Sequence, residues 1–131
     1  MTLPDTPTPA PTELLVCTTC RPADWPREGD AAGQLLHEAV QVALMDQAQP
    51  ALRLRGIACL AACGRGCTAA LQARGKLTYL FGDLPPDDQS ASQLLAVAAQ
   101  HQAAADGLLP WGQRPERLKR GLLARLVPLD E

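Results

Sequence analysis

Aromatic residues are scarce in this chain, with one Phe, one Tyr and two Trp among 131 residues. Stacking platforms for nucleic-acid bases need several such rings. The formal net charge of −2 likewise excludes a generally basic nucleic-acid binder. No apolar run approaches the ~20 residues that a membrane-spanning helix requires, so no membrane contact is expected. The first residues carry neither a basic n-region nor an apolar h-region, and a cytoplasmic location is the expectation. Histidine is confined to His37 and His101, each alone in a helical stretch, which leaves no pair for a Rieske-type site. Gly-rich phosphate loops and Ser–His–Asp arrangements are missing too, and the chain is not expected to be an enzyme by itself.

What remains is an ordinary globular mixture, 47% hydrophobic and 20% charged, at a length that buries a single core. Five cysteines stand out against it. In a reducing compartment such cysteines bind metal or do redox chemistry more often than they form structural disulfides.

Residues 1–12 interleave Pro4, Pro7, Pro9 and Pro11 with Thr and Ala, and read as a disordered leader. Residues 13–18 are short, apolar and partly β-branched, which predicts a buried strand ending before Pro22. Residues 21–30 form a loop. From Asp30, placed to cap a helix, Leu35, Leu36, Ala39, Val40, Ala43 and Leu44 recur at helical spacing to about Gln47. Leu52, Leu54 and Ile57 alternate with arginines and predict a second strand running into Cys59. Residues 68–73 and 77–81, joined by Arg74-Gly75-Lys76, read as a β-hairpin that Gly82 interrupts. Residues 89–105 predict a second helix, opened by Asp87-Asp88. The stretch 107–131 reads as a tail of one or two amphipathic turns that packs on the 13–106 domain or on a partner. Strand–helix–strand demands a right-handed crossover and a parallel pair. The expected fold is therefore α/β, a thioredoxin-like mixed sheet flanked by helices.

Cys17 and Cys20 form a C-x-x-C at the end of the first strand, Cys59 and Cys63 a C-x-x-x-C at the end of the second, and Cys67 follows. If the two strands are parallel, their C-terminal ends lie together, where ligand sites of open α/β sheets collect. Four converging thiolates suit zinc or an iron–sulfur cluster. The second pair's spacing and the placement of both pairs at strand ends favour [2Fe-2S] over a zinc knuckle. Between Gln47 and Gly82 there is no Asp or Glu, whereas Arg53, Arg55, Arg65, Arg74 and Lys76 all lie there. That basic stretch is expected to surround the cysteine loop and favour an anionic occupant.

Cys59-Leu60-Ala61-Ala62-Cys63-Gly64-Arg65-Gly66 resembles the C-L-x-x-C loop of thioredoxin-like [2Fe-2S] ferredoxins, shared by the cluster-bearing peripheral subunit of respiratory NADH dehydrogenases. It is more similar still to a bacterial family of small uncharacterised proteins described as predicted metal-binding. The residues carrying that resemblance are Cys17-Thr18-Thr19-Cys20-Arg21-Pro22, Cys59-Leu60, Cys63, Gly66-Cys67-Thr68, Gly75-Lys76, Tyr79, Gly82, Gly107, Pro110-Trp111 and Arg114-Pro115. The resemblance implies a thioredoxin-like fold with a bound [2Fe-2S] cluster, often dimeric in related ferredoxins, and gives a site rather than a reaction. The expectation built on it is electron transfer or redox sensing with a redox partner protein and a possible homodimer. Cys17, Cys20, Cys59 and Cys63 are the expected ligands, and Cys67 competes with Cys20 for the fourth place.

Two other readings use the same cysteines. One is a protein that binds or traffics zinc or another divalent metal. The other makes Cys17 and Cys20 a dithiol redox pair. Against the second, about eight loop residues separate Cys20 from the next helix, so the thiol activation given by a helix N-terminus is expected to be missing. Trp25 and Trp111 read as anchors of Pro-rich loops, with Trp111, Arg114 and Arg117 as the alternative of a partner surface.

Overall fold

The computed structural model describes residues 11–60 and 66–128. Residues 1–10 of the expected leader, and Cys63 and Arg65 in the cysteine loop, lie outside them. The strand β1 (Glu13–Cys17) leads through the helix α1 (Ala32–Asp46) to β2 (Arg53–Ile57). A hairpin of β3 (Cys67–Gln72) and β4 (Thr78–Leu84) follows, then α2 (Asp88–Ala103), a 3₁₀ turn (Trp111–Gln113), α3 (Glu116–Arg120) and β5 (Leu122–Leu126). The strands form one mixed sheet in the order β2-β1-β3-β4-β5. β1 and β2 are parallel, with Cys17 level with Ile57, as the crossover requires. β3 runs antiparallel to β1.

One core joins the sheet to both helices. Leu14 and Val16 of β1, Ala69 and Leu71 of β3, and Tyr79 and Phe81 of β4 meet Leu36 and Val40 of α1 and Leu94, Leu95 and Ala98 of α2. The residues meeting the helices stand at every second position of β1, β3 and β4, as one face of a pleated strand requires. β1 and β3 are buried along nearly their whole length.

Several local expectations change. Asp30 does not cap α1: the N-cap is Ala31, without a side-chain hydrogen bond, and the Asp30 carbonyl instead accepts from the Trp25 indole N–H at 2.9 Å. Gly82 does not end the hairpin. β4 continues through it because its N–H donates to the Gly121 carbonyl at 2.7 Å, a partner supplied by the tail. Within that tail β5 adds a strand antiparallel to β4. The Leu-rich run at 122–126 lacked alternation, so only pairing reveals it as a strand.

The basic stretch does not surround the cysteine loop as a unit. β3 leaves the cysteine end at Cys67 and reaches Gln72 opposite Glu13, so Arg74 and Lys76 lie at the other end of the sheet. Arg55 faces Glu13 at 3.4 Å. Lys76 is buried and donates from Nζ to the His101 and Gln102 carbonyls at 2.8 Å each, satisfying the C-terminus of α2.

The glycine, lysine and aromatic residues of the tail and hairpin motifs are largely structural ties. Gly107 adopts φ +77°, and a Cβ there would stand 2.8 Å from His101 Nε2. The Tyr79 hydroxyl accepts from the Leu109 N–H at 2.9 Å. Arg114 is buried beside the Tyr79 ring and donates to the Leu109 carbonyl at 2.7 Å. Trp25 packs against the core, whereas Trp111 is 62% exposed and its ring is covered by the Arg114 and Lys119 cations at 5.7 and 5.3 Å.

His101 is fully buried in the last turn of α2. The Leu77 carbonyl, 2.7 Å from Nε2, can only accept, so Nε2 carries the proton and Nδ1 accepts from the Thr12 hydroxyl at 2.8 Å. Thr12, at the end of the stretch read as a leader, is itself buried. Burial pushes the His101 pKa below the ordinary 6.5, the Leu77 carbonyl pulls it back, and the Lys76 charge adds to the depression. The unfolded chain thus binds the proton more readily. The stability contribution is complete above pH 6.5 and is lost as pH falls through the lower folded-state value. The urea midpoint should decline below that pH in the native sequence, and His101→Gln should flatten the decline. An equal slope in the variant would remove His101 as its cause.

Candidate metal centre

The end of β1 is tied to the end of β2. The Thr18 N–H donates to the Ile57 carbonyl at 2.8 Å, and the Thr18 hydroxyl to the same oxygen at 3.1 Å. The Thr19 hydroxyl donates to the Ala58 carbonyl. These bonds bring the start of the second cysteine loop against Cys17, whose Sγ lies 3.8 Å from the Ala58 carbonyl oxygen. The Leu60 backbone also hydrogen-bonds to Cys17. Cys59, between them in the chain, is exposed.

Cys17 and Cys20 are buried with their sulfurs 3.0 Å apart. Cys20 Sγ also lies 3.5 Å from the Thr68 hydroxyl. Cys67, at the start of β3, is fully buried in the apolar core beside Leu84. Burial pushes its thiol up to about 12, helped by the neighbouring Cys20 and Cys17 charges. Burial and then Cys17 push Cys20 up to about 11. Burial raises Cys17 as well, but hydrogen bonds from Cys20, Thr19 and Leu60 outweigh it, and the net direction is down. Of these three buried thiols, Cys17 is the one whose pKa its surroundings lower, and it reaches from the end of β1 to the Ala58 carbonyl beyond β2.

The expectation that α1 stands away from this pair is overturned. The loop 21–30 folds back, held by Arg21, which donates to the Pro26 and Gly29 carbonyls at 2.6 Å each. The Gly33 N–H, in the first turn of α1, then donates to the Cys20 carbonyl at 3.1 Å. A Cβ on Gly33 would fall 2.0 Å from the Cys17 carbonyl oxygen. The first turn carries no acidic residue and no side-chain cap, so the positive end of the helix dipole meets the backbone of the turn that carries both thiols. Gly33 and Thr68 were not among the expected site residues. A glycine in a helical first turn, where its propensity is poor, is the signal that could have pointed to Gly33.

Among the described residues no group of three or more His, Cys, Asp or Glu stands close enough to hold a metal ion. Cys63, expected in the site, lies outside them. The donors that are described fit a thiolate-bound centre in kind: two touching thiols, a third cysteine one residue beyond a contact of Cys17, and a helix N-terminus favouring negative charge. His37 and His101 take no part. His37 lies against Gly56 on the α1 side of β2, and His101 is bonded to Thr12 and Leu77.

A family model described as "Protein of unknown function (DUF1636)" matches residues 14–128. No curated protein matches the chain. Among solved structures, a thioredoxin-like [2Fe-2S] ferredoxin from Aquifex aeolicus is similar at a TM-score of 0.51 and 16% identity, over 87% of this chain and 91% of that one. A second structure, of the wild-type form of that ferredoxin, has a TM-score of 0.49 and 16% identity over 86% and 96% of the two chains. The first likeness establishes the thioredoxin-like ferredoxin fold.

Proposed function

We propose that this chain, which belongs to the DUF1636 family of unknown function, is a [2Fe-2S] protein of electron transfer or redox sensing. The observation that carries the reading is the meeting of Cys17 and Cys20, 3.0 Å apart, beside the loop that begins at Ala58. The likeness in fold to a [2Fe-2S] ferredoxin supports it. Cys17, Cys20, Cys59 and Cys63 are the proposed ligands. Cys20 is preferred to Cys67 because its sulfur touches that of Cys17, whereas Cys67 is seated in the apolar core.

A bound cluster would supply one-electron chemistry. The protein's own part is to present thiolates and stabilise their charge. The Leu60 backbone bonds to Cys17, and the N-terminus of α1 meets the Cys17–Cys20 turn through the Gly33 N–H. The partners of this reading are a redox protein and a second copy of the chain, in the cytoplasm. Among the described residues no helix is long and apolar enough to cross a membrane.

The exposure of Cys59 favours a second reading. An exposed cysteine ligand suits exchange of zinc or another divalent metal better than a closed cluster site does. Anaerobic purification separates the two. Brown protein with about two irons and two sulfides per chain is expected; colourless protein with one zinc would replace the cluster reading by the trafficking one. Cys63→Ser is expected to abolish iron and sulfide, and Cys67→Ser to perturb them only. Equal loss in both variants would overturn the ligand assignment.

A further inference from the structure

The contact between Cys17 and Cys20 has chemistry of its own. A sulfur–sulfur separation of 3.0 Å is about 1 Å from the ~2.05 Å of a disulfide bond. The contact is held from three sides. Thr18 ties the end of β1 to β2, Gly33 bonds the Cys20 carbonyl while its bare Cα abuts the Cys17 carbonyl, and the Thr68 hydroxyl lies on the Cys20 sulfur. The uncapped first turn of α1, free of acidic residues, faces the same turn of chain. Two thiols held in contact by a fixed backbone turn are arranged for closure to a disulfide by thiol–disulfide exchange.

We propose that in the cluster-free protein Cys17 and Cys20 close to a disulfide by exchange with a small disulfide such as oxidised glutathione, and that the closed form takes up no cluster until a thiol opens it. The Cys17 thiolate attacks one sulfur of the glutathione disulfide and expels one glutathione thiolate. Cys20 loses its proton to solvent and attacks the Cys17 sulfur, expelling the second. Two protein thiols are oxidised, one glutathione disulfide is reduced to two thiols, and no other oxidant is consumed. Two ligand positions are thereby withdrawn together, since a disulfide sulfur has no thiolate charge to give a metal. Only this second half rests on the cluster reading.

The test uses the full chain, freed of metal, held anaerobically with oxidised glutathione, then alkylated and weighed. A loss of two alkylatable thiols is expected, with a peptide map joining Cys17 to Cys20. Cys67→Ser should leave that bridge unchanged, and Cys20→Ser should instead hold one glutathione on Cys17. Alkylation of all five cysteines, or a bridge mapping to Cys59 or Cys67, would overturn the exchange. Oxidised and dithiothreitol-reduced samples are then given ferrous iron and sulfide. Iron uptake by the reduced sample alone is expected. Equal uptake by both would overturn the gating. A bridge that forms in a protein taking up no iron even when reduced would sink the cluster reading and leave the exchange standing.

Discussion

Cys17→Ser is expected to lower the iron and sulfide content from about two of each per chain to a trace. Cys17 touches both halves of the site. Its sulfur meets Cys20 at 3.0 Å, the Thr19 hydroxyl at 3.7 Å and the Ala58 carbonyl at 3.8 Å. It is also the described thiol whose pKa the surroundings lower on balance. A serine hydroxyl keeps the volume but does not ionise near neutral pH, and it binds soft metal centres poorly. The fold should survive, because β1 keeps its ladders to β2 and β3; far-ultraviolet circular dichroism is the control. Wild-type iron content in a folded Cys17→Ser protein would remove this residue from the ligand set.

Gly33→Ala is expected to destabilise the fold by about 3 kcal/mol, at the upper end of ordinary overpacking, and to lower the melting temperature by roughly 10 °C. The added methyl would stand 2.0 Å from the Cys17 carbonyl oxygen, 3.0 Å from its carbon and 3.1 Å from the Cys20 N–H nitrogen. All three are backbone atoms of the turn that carries both thiols, so no side chain can swing aside. Relief requires α1 to back away from β1, which would also lengthen the Gly33 N–H bond to the Cys20 carbonyl. Metal uptake should therefore fall along with stability. Gly112→Ala, where a Cβ meets nothing within 4 Å, is the control and should change little. Matching melting curves for the two variants would show that the α1–β1 contact has slack.

The cysteine spacing and the strand–helix–strand order were readable without coordinates because both are local. A C-x-x-C after an apolar run and a hairpin around Gly75 need only a few neighbouring residues to be recognised. The Asp87 cap was equally legible, and its side chain accepts from the Ser90 N–H at 2.9 Å. Charge was read less well. The acid-free stretch 48–81 looked like the electrostatic frame of the cysteines, yet the antiparallel run of β3 carries Arg74 and Lys76 to the opposite end, and Lys76 ends on the carbonyls of α2. Residues that follow Cys67 closely in the chain stand far from it in space, because β3 runs away from the cysteine end.

From residues alone came the element order, the mixed sheet, the cysteine pairs and the resemblance to ferredoxin loops, since hydrophobic period and motif spacing are properties of short windows of chain. Tertiary packing alone decided that β5 is a strand, that α1 returns to the Cys17–Cys20 turn through Gly33, and that Cys67 is drawn into the core. Each of these depends on partners far away in the chain: the β4 edge for β5, the β1 terminus for Gly33, and Leu84 for Cys67. A backbone edge or a close approach leaves no mark on composition or periodicity until both of its sides are in place.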